Sequence, residues 1–193
     1  IRLFAPEAAG IKATKIYTFH RGSYVIDVKF EIENQGSKAL QPFSYFQVLR
    51  DIVPVESSMF IIPQYSGPTV YTEAEKFQKI KFEDLAEGIA AYPKNTDNGW
   101  IAMQEHYFLT AWLPDAGVLR ENFAKHHGGY KYSAGVIVPA GTIQPGEIGK
   151  VEVPFYVGPQ EQSKLAALSP GLDLVVDYGW LTVIGAPLFW LLS

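Results

Sequence analysis

The chain has 193 residues, of which 48% are hydrophobic and 19% are charged, and its formal net charge is −4. The hydrophobic content excludes a disordered chain and predicts a globular fold. The length suits one domain with a substantial core. The acidic balance, with no cluster of Lys or Arg, argues against nucleic-acid binding. Because the sequence has no cysteine, disulfides, thiolate metal sites and thiol catalysis are excluded. It begins at Ile1 within an apolar run, and we interpret it as part of a longer protein.

Alternating residues predict antiparallel strands in the first third of the chain. The clearest strand covers residues 24–33, where Ile26, Val28, Phe30 and Ile32 alternate with charged residues. Residues 12–20 predict its hairpin partner, with Gly22 in the turn. Two further strands are predicted at residues 43–50 and 59–62.

The middle of the chain is more mixed. Residues 72–75 fit a capping box and predict a helical turn, whereas residues 80–82 alternate and predict a strand. Apolar and aromatic residues at 100–113 predict two strands. Two segments predict surface structure, namely a loop at 86–98 and a polar stretch at 119–132 with a loop at 126–129.

The last third begins with strands and ends with helices. Residues 134–138 and 151–157 predict strands, and Pro154 indicates that the second is an edge strand or contains a bulge. Residues 144–147 predict a turn with Pro and Gly at its centre. Residues 160–168 predict a short helix that stops at Ser169-Pro170-Gly171. The chain is therefore predicted to be mainly β, with an antiparallel body at 1–158 and a helical C-terminal segment at 159–193.

Candidate catalytic residues are few. The four histidines show neither an HExxH motif nor the spacing of paired metal ligands. The carboxylates between residues 73 and 87 are spread through a polar stretch, and no glycine-rich phosphate loop follows a strand. We therefore expect no enzyme activity, no metal and no cofactor, and we expect a role in binding, scaffolding or assembly.

The C-terminal stretch carries no charge from Trp180 to Ser193. As a helix it would be apolar on nearly every face, yet it is too short to span a bilayer. It is either a core helix that ends the domain, or a segment that lies along a membrane surface or leads into a membrane span. Its tryptophans favour the membrane surface. Before it, Leu165, Leu168 and Leu172 are predicted to be core residues that pack the segment onto the sheet. The membrane-interface candidates are Trp180, Ile184, Leu188, Phe189, Trp190, Leu191 and Leu192.

Several stretches match the sequence motifs of one known family, in the same order along the chain. They are YTE and EKFQKIKF within 71–82, NGWIAMQEHYF at 98–108, TAWLP at 110–114, YVGP at 156–159, LAALSPGLDL at 165–174, DYGW at 177–180 and PLFWLL at 187–192. On these motifs the chain resembles the large periplasmic domain of the YidC/Oxa1/Alb3 family of membrane protein insertases.

The resemblance implies an antiparallel β-supersandwich related to galactose mutarotases, with short C-terminal helices. It implies a periplasmic location at the inner membrane of a Gram-negative bacterium and a non-enzymatic role as part of an insertase and chaperone. The implied partners are the Sec translocon (SecF, SecD and SecYEG), nascent membrane proteins and, through the C-terminal segment, the membrane surface. The SecF-contact region of the family corresponds roughly to residues 61–113, where Lys79, Lys81 and Glu83 are the candidate contacts.

Two alternatives to this hypothesis remain open. One is a carbohydrate-binding or mutarotase-like periplasmic β-sandwich, because relatives of the fold bind sugars. Mutarotase chemistry needs His and Glu converging on a sugar, and the sequence offers His20 and His106 without an evident carboxylate partner. The other is a secreted scaffold whose C-terminal stretch completes its core.

Overall fold

The structure is a computed structural model and describes residues 1–51 and 65–176. The strands are β1 (Arg2–Phe4), β2 (Ile11–Phe19), β3 (Val25–Asn34), β4 (Phe43–Asp51), β5 (Gly67–Thr72), β6 (Lys76–Lys79), β7 (Asn95–Thr96), β8 (Trp100–Gln104), β9 (Phe108–Trp112), β10 (Arg120–His126), β11 (Lys131–Pro139) and β12 (Ile148–Pro159). The helices are α1 (Phe82–Glu87), α2 (Gln162–Leu168) and a 3₁₀ helix (Leu172–Val175).

The strands form two antiparallel sheets. The large sheet has the order β1-β2-β3-β12-β9-β8-β5-β6, and the small sheet has the order β4-β11-β10-β7. Side chains from both sheets, including Val28, Phe46, Met103 and Val136, share one buried cluster. The two sheets therefore pack face to face, and the predicted mainly β, antiparallel architecture with short C-terminal helices is confirmed.

The strand alternation predicts the core in the first third of the chain. In β3, Val28 and Ile32 are buried, and Phe30 packs edge-on against Phe46 of the small sheet with ring centres 5.2 Å apart. In β4 the buried side chains are Ser44 and Phe46, whereas Phe43, Tyr45 and Leu49 face outwards and are exposed. The small sheet therefore has an outer face with apolar residues on it. The strand predicted at 59–62 lies outside the described residues.

Two predictions between residues 72 and 82 are wrong. The TEAE sequence does form the expected bond from the Glu75 amide to Thr72 Oγ1, at 3.1 Å. That bond closes the β5–β6 hairpin and starts no helix, because β6 returns along β5 from Lys76. Phe82, predicted to lie in a strand, instead begins α1, which ends at Gly88 in the left-handed conformation. The predicted loop at 86–98 thus contains the end of α1 and the short strand β7.

Two further predictions are corrected by the sheet order. The polar stretch at 119–132 contains β10, whose inward-facing positions carry the buried Arg120 and Asn122. Pro154 does not mark an edge, since β12 lies between β3 and β9. Pro154 lies opposite Leu113, one residue beyond the end of β9, and its carbonyl accepts a hydrogen bond from the Leu113 amide at 2.9 Å. The proline is tolerated because the strand needs no N–H donor at this position.

Candidate functional site

The C-terminal segment, defined here as residues 162–176, covers the outer face of the large sheet. Leu165, Leu172 and Val175 are fully buried there, in a second apolar cluster built on Trp100 and Tyr156. Leu168 does not follow the prediction that it belongs to the core, since 40% of it is exposed. Leu165 is the one buried residue of the seven-residue helix α2. This segment is therefore held by a narrow apolar stripe together with polar contacts.

Two side chains of β8 hold the C-terminal segment by hydrogen bonds. The Trp100 indole Nε1 donates to the Pro170 carbonyl at 3.0 Å, and the buried Gln104 Nε2 donates to the Val175 carbonyl at 2.7 Å. Gly171 lies against Tyr71, where an added Cβ would come within 2.4 Å of the ring. No local sequence pattern reveals these contacts, although a polar Gln104 in the otherwise apolar run of β8 is a signal of a buried hydrogen bond.

The three predicted partner contacts lie along one edge of the large sheet. Lys79 is the last residue of the edge strand β6, Lys81 precedes α1, and Glu83 is in the first turn of α1. All three are exposed. The Lys79 Nζ is 5.1 Å from the centre of the Tyr65 ring. Lys79, Lys81 and Glu83 thus form a charged surface, called here the β6–α1 surface.

Tyr65 supports the β6–α1 surface from below. Its hydroxyl lies 2.6 Å from the Pro68 carbonyl oxygen and 2.8 Å from the Ile80 carbonyl oxygen and shares its one proton between them. This contact ties β5 to the residue that follows β6. Burial raises the pKa of the Tyr65 phenol, and the nearby Glu83 carboxylate raises it further. The tyrosine therefore stays neutral at physiological pH and acts as a fixed support for the surface.

The predicted membrane-interface residues, from Trp180 to Leu192, lie outside the described residues. Within the described part of the chain, no helix is long and apolar enough to cross a membrane. What the structure does give is the path of the chain up to Val176, just before those residues.

The histidines form no evident catalytic group. His20 has a carboxylate partner that is not evident from the sequence, since its Nε2 lies 2.6 Å from Asp27 Oδ2, and this pair is half-exposed on the surface. His106 packs against the ring of Tyr107. Among residues 1–51 and 65–176, no three His, Asp or Glu side chains are grouped so that they could hold a metal ion.

The described surface has shallow depressions. One of about 210 Å³ is lined by Tyr71, Asn98 and Pro170, beside the C-terminal segment. Two others, of about 350 and 320 Å³, lie on the outer face of the small sheet and share Tyr45 and Ile137. Neither His20 nor His106 lines any of these three. The second depression on the small sheet is lined by His127 and Ser133, whose Nε2 and Oγ atoms lie 2.7 Å apart.

The fold defines a two-sheet antiparallel β domain with short C-terminal helices. The family model described as the YidC periplasmic domain matches residues 1–191. The chain belongs to this YidC periplasmic domain family.

The chain is similar to two curated membrane protein insertases named YidC. The one from Nitrosospira multiformis is 64% identical over 193 residues, which is 100% of this chain and 34% of the relative. The one from Nitrosomonas europaea is 61% identical, over 100% of this chain and 31% of the relative. The chain thus spans about a third of the length of these relatives.

A solved structure of a galactose mutarotase related enzyme from Lactobacillus acidophilus is also similar, with a TM-score of 0.48 and 6% identity. The match covers 81% of this chain and 70% of that enzyme.

Proposed function

We propose that this chain serves as the periplasmic domain of an inner-membrane protein insertase and chaperone, at the periplasmic face of the membrane. In this role the β body binds partners, and the C-terminal segment sets how the body stands on the membrane. The observation that carries the proposal is the attachment of residues 162–176 to the large sheet, by Leu165 and Leu172 and by the bond from Gln104 to Val175. The names of the relatives as membrane protein insertases support it.

The attachment gives a physical reason for a coupling role. A segment held by buried leucines and two hydrogen bonds moves with the sheet, so the direction in which the chain leaves Val176 is set by the body. The sequence that follows includes the uncharged stretch from Trp180 to Ser193, whose composition suits a membrane surface. Trp180, Ile184 and residues 188–192 are the proposed membrane contacts.

The β6–α1 surface is the proposed contact for the translocon subunit SecF, and through it for SecD and SecYEG. The proposal is supported by three exposed charged residues along one sheet edge, where Tyr65 is hydrogen-bonded to the Ile80 carbonyl. Exposed charges of this kind contribute orientation and association rate more than affinity. Nascent membrane proteins are the proposed substrates of the whole insertase.

Charge reversal tests the SecF contact. In the full-length insertase, Lys79→Glu, Lys81→Glu and Glu83→Lys together should weaken site-directed crosslinking to SecF. The matched control is Glu121→Lys, Lys125→Glu and Lys131→Glu, which makes the same charge change at exposed positions of the small sheet. Crosslinking that is equal in both triple variants would rule out the β6–α1 surface as the contact.

A pair of internal deletions tests the coupling role. Removing most of residues 1–158 from the full-length protein should leave insertion of a dependent substrate largely intact, because the body stands outside the bilayer. Removing residues 177–192 should abolish insertion, because the position at which the chain enters the bilayer is lost. Normal insertion after the second deletion, at matched expression, would contradict the proposal.

A further inference from the structure

The C-terminal segment has a direction relative to the sheet. Pro170 is bonded to Trp100, the first residue of β8, and Val175 is bonded to Gln104, the last residue of β8. The 3₁₀ helix therefore runs along β8 towards the β8–β9 turn, and the chain leaves the described structure beside that turn. The turn itself is closed by the Glu105 amide donating to the Phe108 carbonyl at 2.9 Å.

Four exposed aromatic side chains lie at the same end of the large sheet. Because neighbouring strands are antiparallel, the β2–β3 turn, the last residues of β12 and the β8–β9 turn all fall at one end. Phe19 and Tyr24 flank the first turn and are 59% and 45% exposed, while Tyr107 and Phe108 are at the last and are 69% and 57% exposed. We call these four residues the aromatic rim.

The rim is held in place from behind. Gln160, two residues before the C-terminal segment, is bonded to the β8–β9 turn. Its side-chain Nε2 donates to the carbonyls of Glu105 and Phe108, and its backbone amide donates to the Tyr107 carbonyl. Tyr24 packs edge-on against the buried Tyr156, with ring centres 6.2 Å apart. The aromatic side chains therefore project from fixed backbone positions.

The charges around the rim suit an anionic membrane surface. Two carboxylates at this end pair with basic side chains, Glu105 with Arg50 at 3.0 Å and Glu161 with Lys164 at 2.8 Å. A third carboxylate, Asp27, is hydrogen-bonded to His20 at 2.6 Å. Arg21 in the β2–β3 turn is exposed. Basic groups near anionic headgroups add to the binding that aromatic side chains gain at the interface.

We propose that the aromatic rim rests on the lipid headgroup layer, as a second membrane contact beside the C-terminal stretch. The inference rests on the proposed function, because that function places the membrane where the chain continues after Val176. Val176 lies at the same end of the large sheet as the aromatic rim. Lipid is the occupant that fits this end, since the exiting sequence carries no charge from Trp180 to Ser193 and amphipathic tyrosines prefer the membrane–water interface.

Spin labels in the full-length insertase test the proposal. The protein is made free of other cysteines, placed in nanodiscs of phosphatidylethanolamine and phosphatidylglycerol, and labelled at Tyr107→Cys or at the matched control Tyr45→Cys. Tyr45 is 58% exposed on the small sheet and lies about 17 Å along β4 from Arg50, the residue that contacts Glu105. The label at 107 should lose accessibility to a water-soluble nickel chelate and gain it to oxygen, whereas the label at 45 should stay open to nickel.

Two further positions make every outcome decisive. Tyr24→Cys repeats the measurement on the other turn, so a folding defect at 107 does not leave the rim untested. Trp190→Cys reports on the C-terminal stretch. If 24 and 107 are as open to nickel as 45 while 190 is in lipid, the rim is wrong and the proposed function stands. If 190 is also open to nickel, both are wrong.

Discussion

Gly171 shows how a single residue allows the C-terminal segment to approach the sheet. It has φ +71° and lies against Tyr71, whose ring stacks on Trp100 at 6.0 Å and so cannot easily move aside. Gly171→Ala should therefore destabilise the protein through both backbone strain and collision, by about 2–4 kcal/mol in denaturant unfolding.

Gly22 provides the matched control for this change. Its φ is +76°, and no atom lies within 4 Å of the position that a Cβ would occupy. Gly22→Ala should cost only the backbone term, about 1–2 kcal/mol. Equal losses for the two variants would mean that Tyr71 does not pack against Gly171.

Tyr156 gives the stability of the protein a dependence on alkaline pH. Its hydroxyl donates to the Pro159 carbonyl at 2.6 Å. Burial, with smaller effects from Glu161 and Tyr24, raises its pKa from 10.0 to about 12. The native state then holds a proton that the unfolded chain has already lost above pH 10.0, so the free energy of unfolding should fall as the pH rises through this range.

The variant Tyr156→Phe isolates that contribution. It lacks the titrating hydroxyl, so its unfolding free energy, followed by urea titration from neutral pH to about pH 12, should fall less steeply than that of the parent. Some dependence should remain, because burial also raises the pKa of Tyr65. Identical slopes for parent and variant would contradict the assignment to Tyr156.

At the scale of elements, α2 and the 3₁₀ helix should respond unevenly to truncation of their leucines. Leu165 and Leu172 are fully buried, whereas Leu168 is 40% exposed. Leu165→Ala and Leu172→Ala should each cost about 2–5 kcal/mol of unfolding free energy, and Leu168→Ala should cost less than about 1 kcal/mol. Chemical denaturation of the three variants measures these free energies. A large loss of unfolding free energy in Leu168→Ala would contradict the exposed position of Leu168.

The elements also show which parts of the fold the sequence can predict. The β3 strand was predictable because Val28 and Ile32 face the core and charged residues face outwards. The β10 strand was not, since its inward positions hold Arg120 and Asn122. Arg120 donates to the carbonyls of Asp115 and Val118 in the preceding loop and to the carbonyl of Gly99, so its burial depends on two separate loops. Alternation of polarity cannot reveal a strand whose buried face is polar.

Some residues of the candidate site were also predictable from the sequence, and others were not. Leu165 and Leu172 were predictable as core from their apolar spacing. The bond between Gln104 and Val175 joins residues 71 positions apart, and no local pattern specifies such a pair. The change from β6 to α1 after Lys79 was equally hidden, because residues 80–82 are too few to distinguish a strand from the start of a helix.

At the scale of the whole molecule, partner binding should be separable from membrane insertion. Gln104→Leu leaves the buried Val175 carbonyl without its donor, which should loosen the C-terminal segment by about 1–3 kcal/mol. In the full-length insertase, this variant should reduce crosslinking to SecF, because the orientation of the body is less well defined, while insertion persists.

The exposed Gln41 supplies the control for that experiment. It bonds only to Thr142 Oγ1 at the surface, among the bonds described, so Gln41→Leu should change neither readout. If Gln104→Leu lost insertion while crosslinking to SecF stayed unchanged, the attachment of the C-terminal segment would serve insertion and not partner binding.

The central position of β12 has a consequence for how the chain acquires its structure. β12 pairs with β3 on one side and β9 on the other, so without it the large sheet falls into two halves, β1-β2-β3 and β9-β8-β5-β6. Ile148 pairs with Glu33, roughly 115 positions earlier, which is a pairing of high contact order and therefore slow to form. A chain emerging from its N-terminus cannot complete this sheet until Pro159 has appeared. During synthesis, the open edges of β3 and β9 must stay unpaired until the strand that joins them arrives.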